Sequence, residues 1–107
     1  KLPTNDPRPQ LVTLGLDRTV RLWQPTIGRM VRFVRLDQVA TRLFVDSQGR
    51  VWACGRSGSL MLLDLGASVI ERHLPIDEFP CYATHIDTDT TVLLAGSHGT
   101  LKRVTLD

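Results

Sequence analysis

The amino-acid sequence predicts an all-β protein in which a sheet of four antiparallel strands is repeated about every 40 residues. Three segments carry one pattern. They begin at Leu11, Val51 and Val92, so the copies are spaced by 40 and 41 residues. A glycine, a hydroxyl residue and an apolar residue recur in register: Gly15, Gly55 and Gly96, then Thr19, Ser59 and Thr100, then Val20, Leu60 and Leu101. Three copies of one pattern in 107 residues indicate a repeat architecture.

Each copy has the features of a β-hairpin. In the second copy, an apolar run over residues 51–54 (VWAC) is followed by Gly55 and a polar turn. The segment 59–63 (SLMLL) then begins with a hydroxyl residue and continues with strand-forming residues. We expect the glycine to supply either a positive φ or a close backbone approach at the turn.

Two further strands are predicted between successive copies. After the first copy they are residues 30–36 (MVRFVRL) and 39–45 (VATRLFV), and after the second copy residues 68–74 and 81–87. The polar stretch 46–50 (DSQGR) is a turn. Apolar residues within 60–73 also recur at helical spacing, but Gly66 interrupts them and the repeat assigns residues 60–63 to a strand.

The composition excludes several classes of protein. The chain is 42% apolar with a net charge of +2, which is too hydrophobic and too weakly charged for a disordered protein. Its longest apolar stretch, residues 60–65, contains Asp64 and is far shorter than the roughly 20 residues of a membrane span. Six arginines fall within 25 residues, at positions 18, 21, 29, 32, 35 and 42. Because the net charge is small, we interpret them as solvent-facing and expect neither nucleic acid nor a membrane as partner.

The two cysteines, Cys54 and Cys81, are too few for a disulfide framework and form no Cys-x-x-Cys pair. Both lie in apolar stretches, so we expect reduced thiols buried as small apolar side chains, with a disulfide as the alternative. The N-terminus is polar and rich in proline, unlike a signal peptide. These features lead us to expect a cytoplasmic protein.

Four antiparallel strands in every 40 residues or so make one blade of a β-propeller. The segment Leu11–Trp23 (LVTLGLDRTVRLW) resembles the hairpin formed by the middle two strands of a WD repeat. The matching residues are Thr13, Asp17, Thr19, Val20, Arg21, Leu22 and Trp23. The resemblance covers nearly the whole chain from Leu11 onward, since the turn at residues 46–50 matches the turn between the first two strands of the family's blade. It implies structural roles for Thr13, Gly15, Asp17, Trp23, Gly55 and Gly96.

The later copies depart from the WD pattern. The family's Trp becomes Leu63 and then Val104, its turn Asp becomes Ser57 and then His98, and its Gly-His before the innermost strand is absent. The family's hydrogen-bond network of Ser/Thr, His, Asp and Trp is therefore expected at most in part, in the first copy. The second copy is equally similar to the repeats of bacterial sensor propellers, so the architecture is better supported than any one propeller family.

The predicted organisation is a Pro-rich arm or linker over residues 1–10 and a partial propeller over residues 11–107. The first blade holds its second to fourth strands (11–36), the second blade all four (39–74), and the third blade its first three (81–104). A propeller needs about four to eight blades, so a single copy would leave two apolar blade faces bare. The chain is therefore a segment of a longer propeller, a unit of a ring of copies, or completed by a partner chain; we favour the first.

The blade arrangement also assigns side chains to faces. Val20 and Leu22 should pack against one neighbouring blade, and Trp23 should point toward the other blade or the rim. If Trp23 is wedged between two blades, its replacement by alanine should cost about 3–5 kcal/mol.

The sequence contains no recognisable catalytic set. His73, His85 and His98 lack metal-ligand spacing. Residues 87–89 (DTD) lack the glycine and distal glutamate of a calcium loop, and residues 55–59 (GRSGS) lack the ending of a phosphate loop. We therefore expect a protein that is not an enzyme and has no cofactor.

Propellers usually act through the loops at the ends of their blades. In the WD-repeat family, the residue just before the turn Asp often faces the partner, and the resemblance assigns that position to Leu16, Arg56 and Ser97. Together with Arg18 they suit an apolar and guanidinium contact patch, solvated turns being the alternative. We expect a non-catalytic protein–protein interaction scaffold within a larger protein or complex. The alternatives are a ligand-sensing propeller of a bacterial signalling protein and part of a propeller enzyme.

Overall fold

The computed structural model describes residues 10–76, 81–96 and 99–106, and within them the chain forms ten β-strands and no helix. The strands are β1 (Leu11–Leu14), β2 (Thr19–Gln24), β3 (Arg29–Arg35), β4 (Ala40–Val45), β5 (Val51–Gly55), β6 (Ser59–Asp64), β7 (Val69–Pro75), β8 (Cys81–Ile86), β9 (Thr91–Gly96) and β10 (Leu101–Thr105). They form three sheets in chain order, which we call blade 1 (β1–β3), blade 2 (β4–β7) and blade 3 (β8–β10). All pairings are antiparallel. The predicted all-β class and the repeated antiparallel sheet are confirmed.

The central hairpin turn has the same geometry in all three blades. The main-chain N–H of its fourth residue donates to the carbonyl of its first: Arg18 to Gly15, Gly58 to Gly55 and Gly99 to Gly96, at 3.2, 3.1 and 3.2 Å. The donor residue has a positive φ each time, of 66°, 92° and 74°. The left-handed conformation therefore falls at the fourth position of the turn. Glycine adopts it there at little cost, whereas Arg18 adopts it at a higher cost because it carries a Cβ atom.

The glycine that begins the turn was predicted to supply either a positive φ or a close approach, and at Gly15 and Gly55 it allows a close approach. A Cβ atom on Gly15 would overlap the carboxylate of Asp17, and one on Gly55 would overlap the side-chain amide of Gln38. These glycines permit the close approach of a neighbouring polar side chain.

Two apolar cores lie between successive blades. The core between blades 1 and 2 contains Val20, Leu22, Val34, Leu36, Ala40, Val51, Ala53, Met61, Leu63 and Leu65. The core between blades 2 and 3 contains Phe44, Trp52, Cys54, Leu60, Leu62, Ile76, Cys81, Val92, Leu94, Val104 and Leu106. The two middle strands of blade 2, β5 and β6, are therefore buried on both faces, which explains why they read as continuous apolar runs.

Within the described residues, one face of blade 1 and one face of blade 3 have no blade packed against them. Leu11 and Phe33 on blade 1 are about half exposed, and Leu101 on blade 3 is 69% exposed. These are the two bare faces that the repeat analysis predicts for a single copy.

Within the described residues, the tryptophan wedged between two blades is Trp52, and the condition set for a large loss at Trp23 is not met there. Trp52 is fully buried, and its ring stacks on Phe44 with centroids 6.3 Å apart. Trp23 is only partly buried and pairs across the strands with the exposed Leu11 and Met30. The local WD-like pattern around Trp23 could not reveal which blade face would be covered.

We expect Trp52→Ala to lower the free energy of unfolding by about 3–5 kcal/mol, because it leaves a cavity in a close-packed core. The matched control Trp23→Ala should cost no more than about 2 kcal/mol, since that ring is partly exposed. Urea unfolding monitored by far-UV circular dichroism measures both. Equal losses for the two variants would contradict the assignment of faces.

Candidate functional site

A cavity of about 370 Å³ opens where the ends of all three blades meet. Its lining comes from the β1–β2 turn of blade 1, the start of β4 and the β5–β6 turn of blade 2, and the start of β8 in blade 3. The lining residues are Leu14, Gly15, Leu16, Val39, Ala40, Thr41, Arg56 and Tyr82. We call this feature the three-blade cavity.

The structure brings together two of the four residues predicted to contact a partner. Leu16, 90% exposed, and the exposed Arg56 both line the three-blade cavity, although they are 40 residues apart in the chain. Arg18 is exposed on the same turn as Leu16 but is not part of the lining. Ser97 lies outside the described residues.

Sequence reasoning missed Tyr82, which supplies the contribution of blade 3 and is half exposed. The pairing of β8 with β9 shifts between Cys81 and Ala83, so Tyr82 is an extra residue in the strand. The same shift occurs in β4 between Ala40 and Arg42, and there the extra residue is Thr41. A β-bulge re-aims a side chain out of the regular alternation, and here both bulges place a residue in the cavity lining. The spacing of 41 residues between Thr41 and Tyr82 was the available signal.

The turn that carries Leu16 is held by Asp17. Its carboxylate accepts hydrogen bonds from the Thr19 hydroxyl at 2.6 Å, from the Thr19 main-chain N–H at 3.2 Å and from Arg21 at 3.0 Å. The bond from the Thr19 hydroxyl, with that from Arg21, lowers the pKa of Asp17 to about 2. The carboxylate is therefore charged at any pH above the acid range, and its hydrogen bonds join the turn that carries Leu16 to the start of β2.

In blade 2, Gln38 holds the corresponding hairpin turn, as Asp17 does in blade 1. Its side-chain oxygen accepts hydrogen bonds from the main-chain N–H and the hydroxyl of Ser57, and its NH₂ group donates to the Ser59 hydroxyl at 3.0 Å. These bonds hold the β5–β6 turn next to Arg56. The substitution of Asp by Ser57 in this copy is thus compensated by a side chain from the segment that precedes β4.

The hydrogen-bond network implied by the WD resemblance is present in part. The Trp23 indole N–H donates to the Thr13 hydroxyl at 2.8 Å, so two residues of that network are bonded to each other. Asp17 bonds Thr19 and Arg21, and no bond in the described residues joins it to Trp23. Thr13–Trp23 and Asp17–Thr19 are therefore two separate pairs.

One charged residue, Arg56, is among the described residues that line the cavity, and Arg18 is exposed on the neighbouring turn. Arg18 and Arg56 form no ion pair within the described residues, whereas Arg21, Arg50 and Arg103 are paired with Asp17, Asp46 and Asp87. Among the described residues, the lining contains no Asp, Glu, His or Cys, the side chains that general acid–base or nucleophilic chemistry most often uses. The arrangement suits binding of a ligand with an apolar part and a negative charge.

A second polar cluster lies at the opposite end of β4, around the buried Asp46. Its carboxylate accepts hydrogen bonds from the Trp52 indole N–H at 2.9 Å, from the Arg50 side chain at 2.7 Å and from the main-chain N–H of Gln48 and Arg50. Arg50 also donates to the Leu106 carbonyl of blade 3 at 3.0 Å. This cluster joins blade 2 to blade 3, and it occupies the turn over residues 46–50 that the sequence predicts.

The remaining candidate features have structural partners. His73 lies 2.8 Å from Asp37, and Asp87 lies 2.8 Å from Arg103. The Thr88 hydroxyl accepts from the N–H groups of Thr90 and Thr91, so residues 87–91 form a tight turn. His98 lies outside the described residues. In the described part of the chain, no cluster of His, Cys, Asp or Glu could hold a metal ion, and no helix is long and apolar enough to cross a membrane.

Comparison with known structures identifies the architecture. The chain superposes on the β-propeller domain of Cps50 (Swd1) from Myceliophteria thermophila with a TM-score of 0.64 and 18% sequence identity. The match covers 92% of this chain and 34% of the Swd1 chain, so this chain spans about a third of the length of the Swd1 chain. No protein-family profile and no curated protein sequence matches the chain. The chain is thus a partial β-propeller, as its resemblance to WD repeats leads one to expect.

We expect Asp46→Ala to lower the free energy of unfolding by about 2–4 kcal/mol at neutral pH, because it leaves the Trp52 and Arg50 donors without their acceptor. Asp89→Ala, at an exposed turn, should change it by less than about 0.5 kcal/mol. Urea unfolding at pH 7 compares the two variants. If Asp46→Ala lowers the free energy of unfolding as little as Asp89→Ala does, the stabilising role given to this cluster is wrong.

The same cluster predicts a loss of stability in acid. Burial alone would raise the pKa of Asp46, but the hydrogen bonds from Trp52, Arg50 and Gln48 outweigh it and hold the pKa below its usual 3.8. A carboxylate with a lowered folded-state pKa stabilises the protein fully above the unfolded value and loses that effect as the pH falls through the folded value. A normal Asp pKa of about 4 sets the range to be measured at pH 5 to pH 2. Over that range, the free energy of unfolding should fall more steeply for the wild type than for Asp46→Ala as the pH is lowered. Parallel curves would refute this linkage.

Proposed function

We propose that this chain is part of a non-catalytic protein–protein interaction scaffold, and that its partner binds over the three-blade cavity. The observation that carries the proposal is the convergence of Leu16, Arg56 and Tyr82, one from each blade, on the rim of a single cavity. Turns held by Asp17 and Gln38 form a rigid platform, and loops on a rigid scaffold are common binding sites. The complete scaffold is a WD-repeat-like propeller within a larger protein or complex.

The cavity determines the chemistry of the partner. Tyr82 and Leu16 expose apolar surface, and Tyr and Arg are enriched at the centres of protein interfaces. Arg56 and Arg18 offer planar guanidinium groups that bind carboxylates through paired hydrogen bonds. The segment that fits presents an apolar side chain to the cavity and an Asp or Glu close to it in sequence.

A ligand-sensing propeller is the second candidate, and the size of the three-blade cavity favours it. A volume of about 370 Å³ falls within the range of small-molecule sites. A small anion with an apolar body would use the same arginine and the same tyrosine. We favour the scaffold because Leu16 projects its side chain almost fully into solvent, where a flat partner surface can cover it.

Two unpaired cysteines accord with a cytoplasmic location.

Selection of a random peptide display library on the full chain tests the proposal. We expect enriched peptides to pair an acidic residue with a nearby Leu, Ile or Phe. By fluorescence anisotropy, Arg56→Glu and Leu16→Asp should each weaken binding of a selected peptide at least tenfold, which is about 1.4 kcal/mol. Binding should also weaken as salt is raised.

The matched control is Arg29→Glu, which reverses an exposed arginine at the start of β3, outside the cavity lining. It should leave the affinity within about twofold. Selected peptides that bind Arg56→Glu and Leu16→Asp as well as the wild type would place the interaction elsewhere. An enriched set without acidic residues would refute the proposed chemistry.

A further inference from the structure

The outer edge of blade 3 is open within the described residues. Blade 2 has four strands in the order β4, β5, β6, β7, whereas the described part of blade 3 has β8, β9 and β10, and β10 pairs there with β9 alone. The other edge of β10 therefore presents main-chain N–H and C=O groups that no described strand pairs with. Such an edge is a template for the addition of another strand.

A guanidinium group in the interface between blades 2 and 3 lacks an acceptor. The Nε and Nη2 atoms of Arg72, in β7, are buried, and neither has a hydrogen-bond partner in the described part of the chain. The guanidinium carbon lies over the Trp52 ring, 5.8 Å from the ring centroid. Because a buried charged donor without an acceptor is costly, folded proteins rarely leave one unpaired.

Arg72 lies in the part of this interface that borders the end of β10. The guanidinium carbon of Arg50 lies 5.6 Å from the centroid of the same Trp52 ring. Arg50 also donates to the carbonyl of Leu106, the residue directly after β10. One aromatic ring thus connects the unpaired guanidinium of Arg72 to the strand whose outer edge is open.

The repeat indicates where an added strand would run. The outermost strands of blades 1 and 2, β3 and β7, contact each other, so a fourth strand paired with β10 would contact β7, which carries Arg72. In β7, Ile70 pairs with Leu63, and both pack toward blade 1. Val104 of β10 corresponds to Leu63 and packs toward blade 2. The residue of an added strand across from Val104 would therefore also face blade 2.

We propose that the outer edge of β10 binds a β-strand of a partner chain, and that this strand presents an Asp or Glu carboxylate to Arg72. Charge complementarity identifies this partner. Of the two guanidinium groups on Trp52, that of Arg50 is bonded to the Asp46 carboxylate, whereas the buried donors of Arg72 have no acceptor among the described residues. Nε and Nη2 lie on one side of the guanidinium plane, and such a pair of donors binds both oxygens of a carboxylate.

Two capped peptides that differ by a single carboxylate test the proposal. Both copy residues 68–76, which include the outermost strand of blade 2, with Glu71→Gln; one also carries Ile70→Glu and the other Ile70→Gln. By fluorescence anisotropy, the Ile70→Glu peptide should bind the full chain roughly tenfold or more tightly than the Ile70→Gln peptide. In a chain with Arg72→Gln, the two peptides should bind within about twofold of each other. Far-UV circular dichroism establishes that this variant is folded.

The matched control is Arg32→Gln. Arg32 lies across from Leu22 in blade 1 as Arg72 lies across from Leu62 in blade 2, and it is exposed. This variant should keep the preference for the acidic peptide, and so should Arg56→Glu, which alters the three-blade cavity. A preference that survives Arg72→Gln contradicts the proposal, and a preference that Arg56→Glu removes places the peptide at the cavity instead.

Amide hydrogen exchange on the wild-type chain locates the added strand without any variant. When the Ile70→Glu peptide is added, the N–H groups of β10 that are not bonded to β9 should become protected, at alternate residues of the strand. Protection at another strand instead of β10, or the failure of both peptides to bind, overturns the proposal. Sedimentation of the chain alone tests a second copy as the occupant: self-association that Arg72→Gln abolishes would assign the edge to another copy and refute a separate partner.

Discussion

The burial of one sheet face against the next is the interaction on which the rest of this structure depends. A blade of β-strands in a propeller is apolar on both faces, and within the described residues each covered face packs against the neighbouring blade. Each core accordingly combines residues of two blades: Leu22 of blade 1 shares one core with Met61 and Leu63 of blade 2, and Leu62 of blade 2 shares the other with Leu94 of blade 3. Packing at this level of burial stabilises through area removed from water, about 25 cal/mol per Å² of apolar surface.

Polar contacts at the two ends of blade 2 orient this packing. At one end, Thr41 contacts the carbonyl groups of Cys54 and Cys81, and at the other, Arg50 bridges from Asp46 to the Leu106 carbonyl. Apolar packing is non-directional, so it leaves small rotations between blades nearly equal in energy. Hydrogen bonds between blades remove that freedom, and the ends of the strands then meet in a defined arrangement.

The three-blade cavity follows from this arrangement. Its lining mixes turn residues, which are placed by hydrogen bonds within one blade, with the bulge residues Thr41 and Tyr82, which are placed by the geometry of the innermost strands. The interaction surface thus includes the region where blades 2 and 3 meet.

Much of the fold and part of the candidate site were determined by the sequence alone. Strand order, turn positions and the all-β class depend on patterns that are local in the chain: alternating apolar residues, a glycine at each turn and a period of about 40 residues. The position just before the turn Asp, which the resemblance to WD repeats assigns to Leu16 and Arg56, is equally local. Only the tertiary structure decided that Tyr82 lines the cavity, and that Trp52 is the tryptophan wedged between blades while Trp23 is only partly buried. Each of these depends on which face of one blade meets the next, and that choice is made by packing between segments far apart in the chain, where no local pattern records it.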